Sequence, residues 1–442
     1  MAGGFLPYHE PGIVNILILI SFFFFLSLAE WISSKIIRAG IIGQIAVGII
    51  YGTPLANILH ADWQSTFLAL GYIGLILIIF EGGLGARLDL LKKNFFLSMI
   101  GAATGVLFPI GLSYLLLYLG FGYGAVETFI VGASLSATSL GTTFAVISTA
   151  SSTVDLAQTR VGSILVSAAV IDDVVGLVML SVINDLGELG QGHSVNLGWL
   201  IGRPIVASIG MAIVTPLVTK FLFAPLFRRY IEYHFARFDH ISNIILMILV
   251  LCAFISIAAY TGTSILFGAF LAGEREENKS PTFVHTFERY LLDVQKYLME
   301  PLFFSSIGFA IPFVQLWTGK RIWRGIVFTL LMLFAKLIVG IWSTKPVWST
   351  VCLSGLLLGS AMVARGEIGL LIVEVGYNET SYVSEDAFIT AVWAILLNTV
   401  LGPVTVGLLM KFHGKEIGEG AWGLQGTAPA AGDDSSIDPS LG

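Results

Sequence analysis

Two adjacent aspartates lie in the middle of an apolar stretch, in the sequence AAVIDDVVGLV at residues 168–178. Asp172 and Asp173 are the only charged residues between Gly162 and Ile183. Successive residues of a helix point about 100° apart, so two neighbouring carboxylates cannot share one partner. One of them can therefore be held by a structural partner while the other faces a cavity.

A carboxylate in such a place can do the chemistry of ion exchange. Burial and a nearby second carboxylate both change how readily a carboxylate binds a proton. Tuned in this way, it holds either a proton or a metal cation near neutral pH, but not both. That mutual exclusion is the mechanism of an ion/proton antiporter. The alternative reading is a hydrogen-bonded pair of aspartates that only fixes helix packing.

Other charges also lie in apolar segments, where each costs about 2.5–3.5 kcal/mol at the centre of a bilayer. Lys336, in LMLFAKLIVG, is near the middle of its segment, where an ammonium group reaches water with difficulty. We expect it to neutralise one aspartate rather than to snorkel. Arg365 and Glu367 are expected to form an ion pair across a glycine-rich break. Glu30 and Glu81 are equally well explained by structural roles, and Glu374 is expected to snorkel from a segment end.

The elements that must position these residues are membrane helices. The chain has 442 residues, of which 56% are hydrophobic and 12% charged, with a mean hydropathy of +0.87. A soluble domain carries about 25% charged residues, and the apolar runs have the length of spanning helices rather than of barrel strands. We predict an all-α polytopic membrane protein with about 13 transmembrane helices. They lie near 12–33, 40–58, 66–84, 95–119, 124–148, 160–184, 197–224, 240–260, 262–273, 292–313, 323–343, 350–376 and 386–410.

Two of these segments are interrupted at corresponding places in the two halves of the chain. Span 5 contains SATSLGTT at 136–143, and span 12 contains GSAMVARGEIG at 359–369. Paired interruptions of this kind point to a transporter binding site. We therefore expect a transporter binding site at spans 5 and 12.

The distribution of Lys and Arg in the short loops predicts the orientation. Most of them fall on the side of the C-terminus, and only the basic cluster at 320–324 lies on the other side. The C-terminus is therefore predicted to be cytoplasmic, while the basic cluster has no explanation in the sequence. Residues 416–442 are predicted to form a disordered cytoplasmic tail. Nothing in the sequence chooses between the plasma membrane and an organelle membrane.

Several stretches together resemble the cation/proton antiporter family of the sodium/hydrogen exchanger type, in its branch with a paired Asp-Asp motif. AVIDDVVGL is similar to the ion-binding helix of that family, and SLSATSLGTT to the broken helix before it. The order of five further stretches strengthens the resemblance: RAGIIGQIAVGIIYGTPLANIL, LGYIGLILIIFEGGLGARLDLL, SILFGAFLAG, EPLFFSSIGFAI and MVARGEIGLLI.

The resemblance implies a role for each site residue. Asp173 would be the main carboxylate for cation and proton, and it would bind the transported alkali cation. Asp172 would be the partner of Lys336, while Thr138 and Ser139 would line the crossing of the broken helices. Family members are typically homodimers, and the resemblance implies two inverted repeats whose broken helices, spans 5 and 12, cross at the site.

The resemblance also implies a domain organisation and a way of moving. The membrane antiporter domain would cover residues 1–415. Within it, a core bundle (about 95–184 and 323–410) would rock against a dimer or scaffold domain (about 12–84 and 240–313).

The leading interpretation is a secondary transporter that exchanges Na⁺, or Li⁺ or K⁺, for protons by alternating access. If Lys336 also releases a proton when a cation binds, transport is electrogenic. The alternatives are a K⁺/H⁺ exchanger, an organic-anion symporter or a cation channel on a similar scaffold. The chain lacks Gly-x-Ser-x-Gly and His-Glu-x-x-His motifs, so an enzyme is not expected. Membrane lipid is an expected partner, whereas a cofactor and a nucleic acid are not.

Overall fold

The computed structural model of the chain describes residues 10–37, 39–85, 95–138, 159–189, 197–218, 221, 239–273, 282–343 and 350–419. Within these ranges the chain is helical and contains no β-strand. The first seven helices are α1 (Ile13–Ile36), α2 (Gly40–Tyr51), α3 (Ala61–Gly85), α4 (Phe95–Ser113), α5 (Ala125–Ser134), α6 (Arg160–Leu189) and α7 (Leu197–Val218). A π-helical segment, Tyr114–Gly120, extends α4.

Eight further helices follow in the second half. They are α8 (Asp239–Thr261), α9 (Ile265–Gly273), α10 (Thr282–Tyr290), α11 (Glu300–Ala310), α12 (Gly319–Ser343), α13 (Thr350–Ala361), α14 (Glu367–Asn378) and α15 (Glu385–Glu419). The short pieces Leu292–Val294 and Gln295–Met299 lead directly into α11.

Among the described residues, eight helices are long and apolar enough to cross a membrane. They include α1, α3, α6 and α15. Glu81 lies in α3. The prediction of an all-α polytopic membrane protein is confirmed at this level. The number of crossings and the inverted repeats stay predictions.

The described helices pack mainly within two groups. We name α4–α6 with α12–α15 the core bundle, because α12 packs on α4, α13 and α15 while α14 packs on α5 and α6. We name α1–α3 with α8–α11 the scaffold bundle, because α11 packs on α2 and α3 while α9 packs on α3 and α8. The two bundles meet where α6 contacts α9 and where α11 contacts α14.

Small residues allow the scaffold helices to approach closely. A Cβ atom on Gly48 of α2 would lie 2.1 Å from the backbone oxygen of Ser305 in α11. No side chain fits in that gap, so the contact requires glycine. Gly262 has φ +82 in the turn that joins α8 to α9, a conformation that residues with a Cβ rarely adopt. The short ninth segment is thus a separate helix that folds back on its neighbour.

The core bundle contains the two interruptions. α13 ends at Ala361 and α14 begins at Glu367, with no helix over residues 362–366. α5 ends at Ser134, and residues 135–138 continue without helical structure. The rest of the predicted interruption, from Ser139 onward, lies outside the described residues. At the C-terminus α15 continues to Glu419, so the first residues of the predicted tail are helical. The remaining tail, 420–442, also lies outside the described residues.

Candidate functional site

The two adjacent aspartates lie in α6 and have different surroundings. Asp172 is 0% exposed and Asp173 is 2% exposed. They point in different directions because neighbours on a helix are about 100° apart. Asp172 faces α12, whereas Asp173 lines a cavity on the scaffold side.

Asp172 is held by two side chains from other helical segments. Lys336 of α12 is 0% exposed, and its Nζ donates to Asp172 Oδ2 at 2.7 Å. The hydroxyl of Thr138 donates to the same oxygen at 2.8 Å, and Lys336 Nζ also lies 3.1 Å from Thr138 Oγ1. A buried ion pair needs such added hydrogen bonds to offset the desolvation of both charges. Oδ2 of Asp172 is therefore engaged in a structural contact, while its Oδ1 has no hydrogen-bond partner among the described residues.

Thr138 also connects the two interruptions. Its hydroxyl oxygen lies 3.4 Å from the carbonyl oxygen of Met362, which belongs to the break between α13 and α14. A Cβ on Gly369 would lie 2.5 Å from the backbone oxygen of Ser134, so α14 and α5 are in close contact. The structure thus brings the two interrupted segments together next to Asp172. Ser139, the other predicted lining residue, lies outside the described residues.

Gly105 of α4 is a neighbour of the ion pair that the sequence reasoning missed. A Cβ at this position would lie 3.1 Å from Lys336 Nζ and 3.2 Å from Asp172 Oδ2. The absence of a side chain leaves room for the ammonium and carboxylate groups. A glycine in an apolar segment is too common in membrane helices to have indicated this role.

Asp173 differs from Asp172 in having no hydrogen-bond partner for either oxygen among the described residues. Its side chain lines a cavity of about 320 Å³. The cavity walls also include Phe270 of α9 and Phe287 of α10, and three further acids (Glu81, Glu288 and Glu367) contribute to its lining. A buried polar group without a partner indicates a missing ligand or a catalytic role. The cavity gives a small cation access to this carboxylate.

The further acids come from three helices. Glu81 of α3 accepts a hydrogen bond from Gln295, so one side of it is already engaged. Glu367 is the first residue of α14, directly after the break, and Glu288 is an exposed residue of α10. Clefts lined by charge of one sign raise the local concentration of counter-ions. Glu30 is not among the lining residues and accepts instead from Gln44 at 2.9 Å.

The expected ion pair between Arg365 and Glu367 is not the contact that the structure shows. Arg365 is fully buried, and its NH1 donates to the carbonyl oxygens of Ser136 and Ala137 at 3.2 and 2.6 Å. Both carbonyls belong to the non-helical segment that follows α5, where no helical donor is available, and the guanidinium supplies a donor to each. Glu367 is directed to the cavity instead. Arg365 lies in the break before α14, whereas Glu367 is the first residue of that helix.

Arg365→Met is expected to lower the free energy of unfolding by about 3 kcal/mol, because two buried carbonyl oxygens lose a charged donor. Thermal unfolding of the purified protein in detergent measures the change. The matched control is Arg203→Met, which removes an exposed guanidinium from α7. Equal losses in the two variants would contradict a special role for Arg365.

The structure explains the basic cluster at 320–324. Arg321 pairs with Glu385 at 3.0 Å and with Asp386 at 2.7 Å, at the start of α15. Arg324 lies 3.6 Å from Asp386 and donates to the hydroxyl of Tyr123 at 2.7 Å. Acids that are distant in sequence thus pair with both arginines of the cluster. The exception to the charge distribution is a local network between α12 and α15.

The sequence model of the transmembrane sodium/hydrogen exchanger family matches residues 18–412. The chain is 28% identical over 397 residues to a Na⁺/H⁺ antiporter of Enterococcus hirae, which covers 88% of this chain and 96% of the relative. It is 26% identical over 384 residues to the Na⁺/H⁺-K⁺ antiporter GerN of Bacillus cereus, covering 85% and 91% of the two chains.

A solved structure shows the same fold. The sodium proton antiporter MjNhaP1 of Methanocaldococcus jannaschii, determined at pH 8, superposes with a TM-score of 0.63 at 20% identity. The superposition covers 92% of this chain and 99% of that one. Because the family match extends over most of the chain, the protein is an integral membrane antiporter of the sodium/hydrogen exchanger family.

Proposed function

We propose that this antiporter exchanges Na⁺ for protons by competition of the two ions at Asp173. The observation that carries the proposal is the contrast between the two aspartates. Asp172 is engaged by Lys336 and Thr138, while both oxygens of Asp173 are unpartnered among the described residues and face a cavity. Asp173 is therefore the carboxylate that is free to change its ligand.

The surroundings supply the ligand chemistry of a hard alkali cation, which prefers oxygen donors. Besides the Asp173 carboxylate, the proposed ligands are backbone oxygens of the interruptions, such as that of Met362, and the hydroxyl of Thr138, which lies 3.4 Å from it. Ser139 is a further hydroxyl ligand in this proposal. A hard cation does not require the soft sulfur ligands that Cys and Met provide.

Exchange requires that the site open to each side in turn. The cavity lies at the ends of α3 and α9, next to loops that are predicted to be cytoplasmic. In this state the site faces the cytoplasm. The core bundle, which carries Asp173, would move against the scaffold bundle to open the other side. Such relative motion of bundles around a fixed site is the general form of alternating access.

Na⁺ is the first cation to test, with Li⁺ and K⁺ as alternatives. The relatives in Enterococcus hirae and Bacillus cereus are named as Na⁺/H⁺ and Na⁺/H⁺-K⁺ antiporters. If Lys336 also releases a proton when the cation binds at Asp173, more than one proton moves per cation and transport is electrogenic. The exchanger is a homodimer in this proposal, with lipid around the apolar faces of α1 and α8, which are exposed in the single chain.

The apparent affinity for Na⁺ is expected to fall as the pH falls. In direct competition, each pH unit below the pKa of the carboxylate raises the apparent dissociation constant about tenfold. At high pH the site lacks protons to return, so the exchange rate should pass through a maximum. Binding of Na⁺ to the purified protein, measured from about pH 6 to 9, tests the first statement, and proton flux in proteoliposomes tests the second.

A pH-independent affinity for Na⁺ would contradict direct competition, even where exchange itself is observed. A cation channel would conduct Na⁺ without a coupled proton flux. An organic-anion symporter would show proton flux only with an organic acid. The three functions therefore give different results in one set of proteoliposome measurements.

A further inference from the structure

Glu374 of α14 is a buried carboxylate to which the proposed exchange at Asp173 assigns no role. It is 9% exposed, so the expected snorkelling to water is not found. Its Oε2 accepts a hydrogen bond from Asn378 at 2.8 Å, and its Oε1 has no partner among the described residues. A carboxylate that is buried with one oxygen unsatisfied is costly. Packing alone does not require it, because leucine or methionine would fill the same space.

The direction of Glu374 follows from the contacts of α14. Gly369 and Gly376 face α5, where they approach Ser134 and Ile130. Glu367 and Glu374 each precede one of these glycines by two residues, which places them about 160° around the helix. They therefore share the face that is directed away from α5. Glu367 on this face lines the cavity with residues of the scaffold bundle.

The other sides of α14 are already occupied within the core bundle. Ile368 lies against Gly176 of α6, and Tyr377 stacks on Phe388 of α15 with ring centroids 4.5 Å apart. The scaffold helix α11 also contacts α14. Glu374 thus lies on the boundary between the two bundles. It is seven residues beyond Glu367, about 10 Å further along the helix axis and away from the cavity.

At that far end a short helix, Phe313–Leu316, which lies in the connection from α11 to α12, packs on α15. Trp393 of α15 donates from Nε1 to the carbonyl oxygen of Leu316, which follows α11, at 3.1 Å. The rings of Trp317 and Trp393 also meet edge to face, with centroids 5.7 Å apart. The boundary is closed to water at the end where Glu374 is buried, and open, as the cavity, at the other end.

We propose that Glu374 is the carboxylate that receives the monovalent cation when the closed end opens. The inference rests on the proposed exchange at Asp173. Movement of one bundle against the other brings Glu374 to water, where it attracts the cation toward the site. Glu288 has the corresponding position at the mouth of the cavity that is open here. The two ends of one boundary thus each carry an acid.

The test measures the Na⁺ dependence of exchange separately from each face, in proteoliposomes with one orientation of the protein. Glu374→Gln keeps an acceptor for Asn378 but removes the charge. It is expected to raise the half-saturating Na⁺ concentration about tenfold from the face at which α15 begins. From the cavity face the value should be unchanged. Glu288→Gln should give the opposite pattern, and the exposed Glu379→Gln should change neither face.

Equal effects of Glu374→Gln on both faces, or no effect on either, would overturn the proposal. Exchange by the wild-type protein must be present for this comparison, so its absence refutes the proposed function and not the role of Glu374 alone. Glu374→Asp, which keeps the charge, should retain most of the wild-type value. A purely structural residue would show no such difference between the two faces.

A second measurement does not depend on transport. The chain contains only two cysteines, Cys252 and Cys352, so Glu374→Cys can be studied after both are replaced by serine. A membrane-impermeant thiol reagent should label Cys at this position from the face at which α15 begins. Labelling from the cavity face alone, or no labelling from either face, would contradict the proposed opening of the boundary at Glu374.

Discussion

Asp173→Asn is expected to abolish cation-driven proton flux and to leave the protein folded. The amide has nearly the same shape as the carboxylate, but it carries no charge for a cation and releases no proton. Since Asp173 makes no hydrogen bond among the described residues, its replacement breaks no native contact. Removing an unpartnered buried carboxylate costs nothing in hydrogen bonding. The melting temperature should therefore equal or exceed that of the wild-type protein.

Proteoliposomes loaded with a pH-sensitive dye, with Na⁺, Li⁺ and K⁺ added in turn, measure this flux. The matched control is Asp293→Asn, the same substitution at an exposed position outside the cavity. It should exchange at the wild-type rate. Proton flux near the wild-type rate in Asp173→Asn would refute the assignment of the competing carboxylate.

The residues nearest to the proposed site could be predicted because charge is rare in these helices. Asp172 and Lys336 are 164 positions apart, yet both stand out in apolar segments. The cost of an isolated charge in a bilayer implies a partner for each. The resemblance to the family added Thr138, which composition alone does not single out. The long helices could also be predicted, since each is a long apolar run, whereas short helices such as α5 and α9 could not be bounded in this way.

Contacts that depend on tertiary packing were not predictable in this way. The partners of Arg365 are backbone carbonyls that become available only because α5 ends at Ser134 beside the second break. Any residue type has such carbonyls, so no pattern indicates which ones are used. The nearest opposite charge in sequence, Glu367, was therefore the wrong choice.

The burial of Glu374 could likewise not be predicted from the sequence of its own segment. A carboxylate close to the end of an apolar run is expected to reach water. Glu374 is instead buried, although the last residue of α14 is exposed, because it lies on the face of α14 that is directed away from α5, at the boundary with α11. The boundary between the two bundles is a property of the whole fold. It determines which acids can attract a cation toward Asp173.

The division of roles between the two aspartates also makes Asp172 and Lys336 a testable pair. Asp172→Asn and Lys336→Met are each expected to lower the free energy of unfolding by about 3–5 kcal/mol. Each leaves one buried charge without its partner, in a site with 0% exposure. The double variant leaves neither charge, so it should be more stable than the sum of the single losses predicts.

Thermal unfolding of the wild-type protein, both single variants and the double variant gives the interaction free energy. A value of at least about 1.5 kcal/mol is expected for a close, buried charge pair. Thr138→Val serves as the control for the shared hydrogen bonds, because it removes the hydroxyl and leaves both charges. Thr138→Val should lower the free energy of unfolding by less, about 1–2 kcal/mol. Additive losses in the double variant would mean that Asp172 and Lys336 do not stabilise each other, and Asp172 would then be as free as Asp173 to bind a cation.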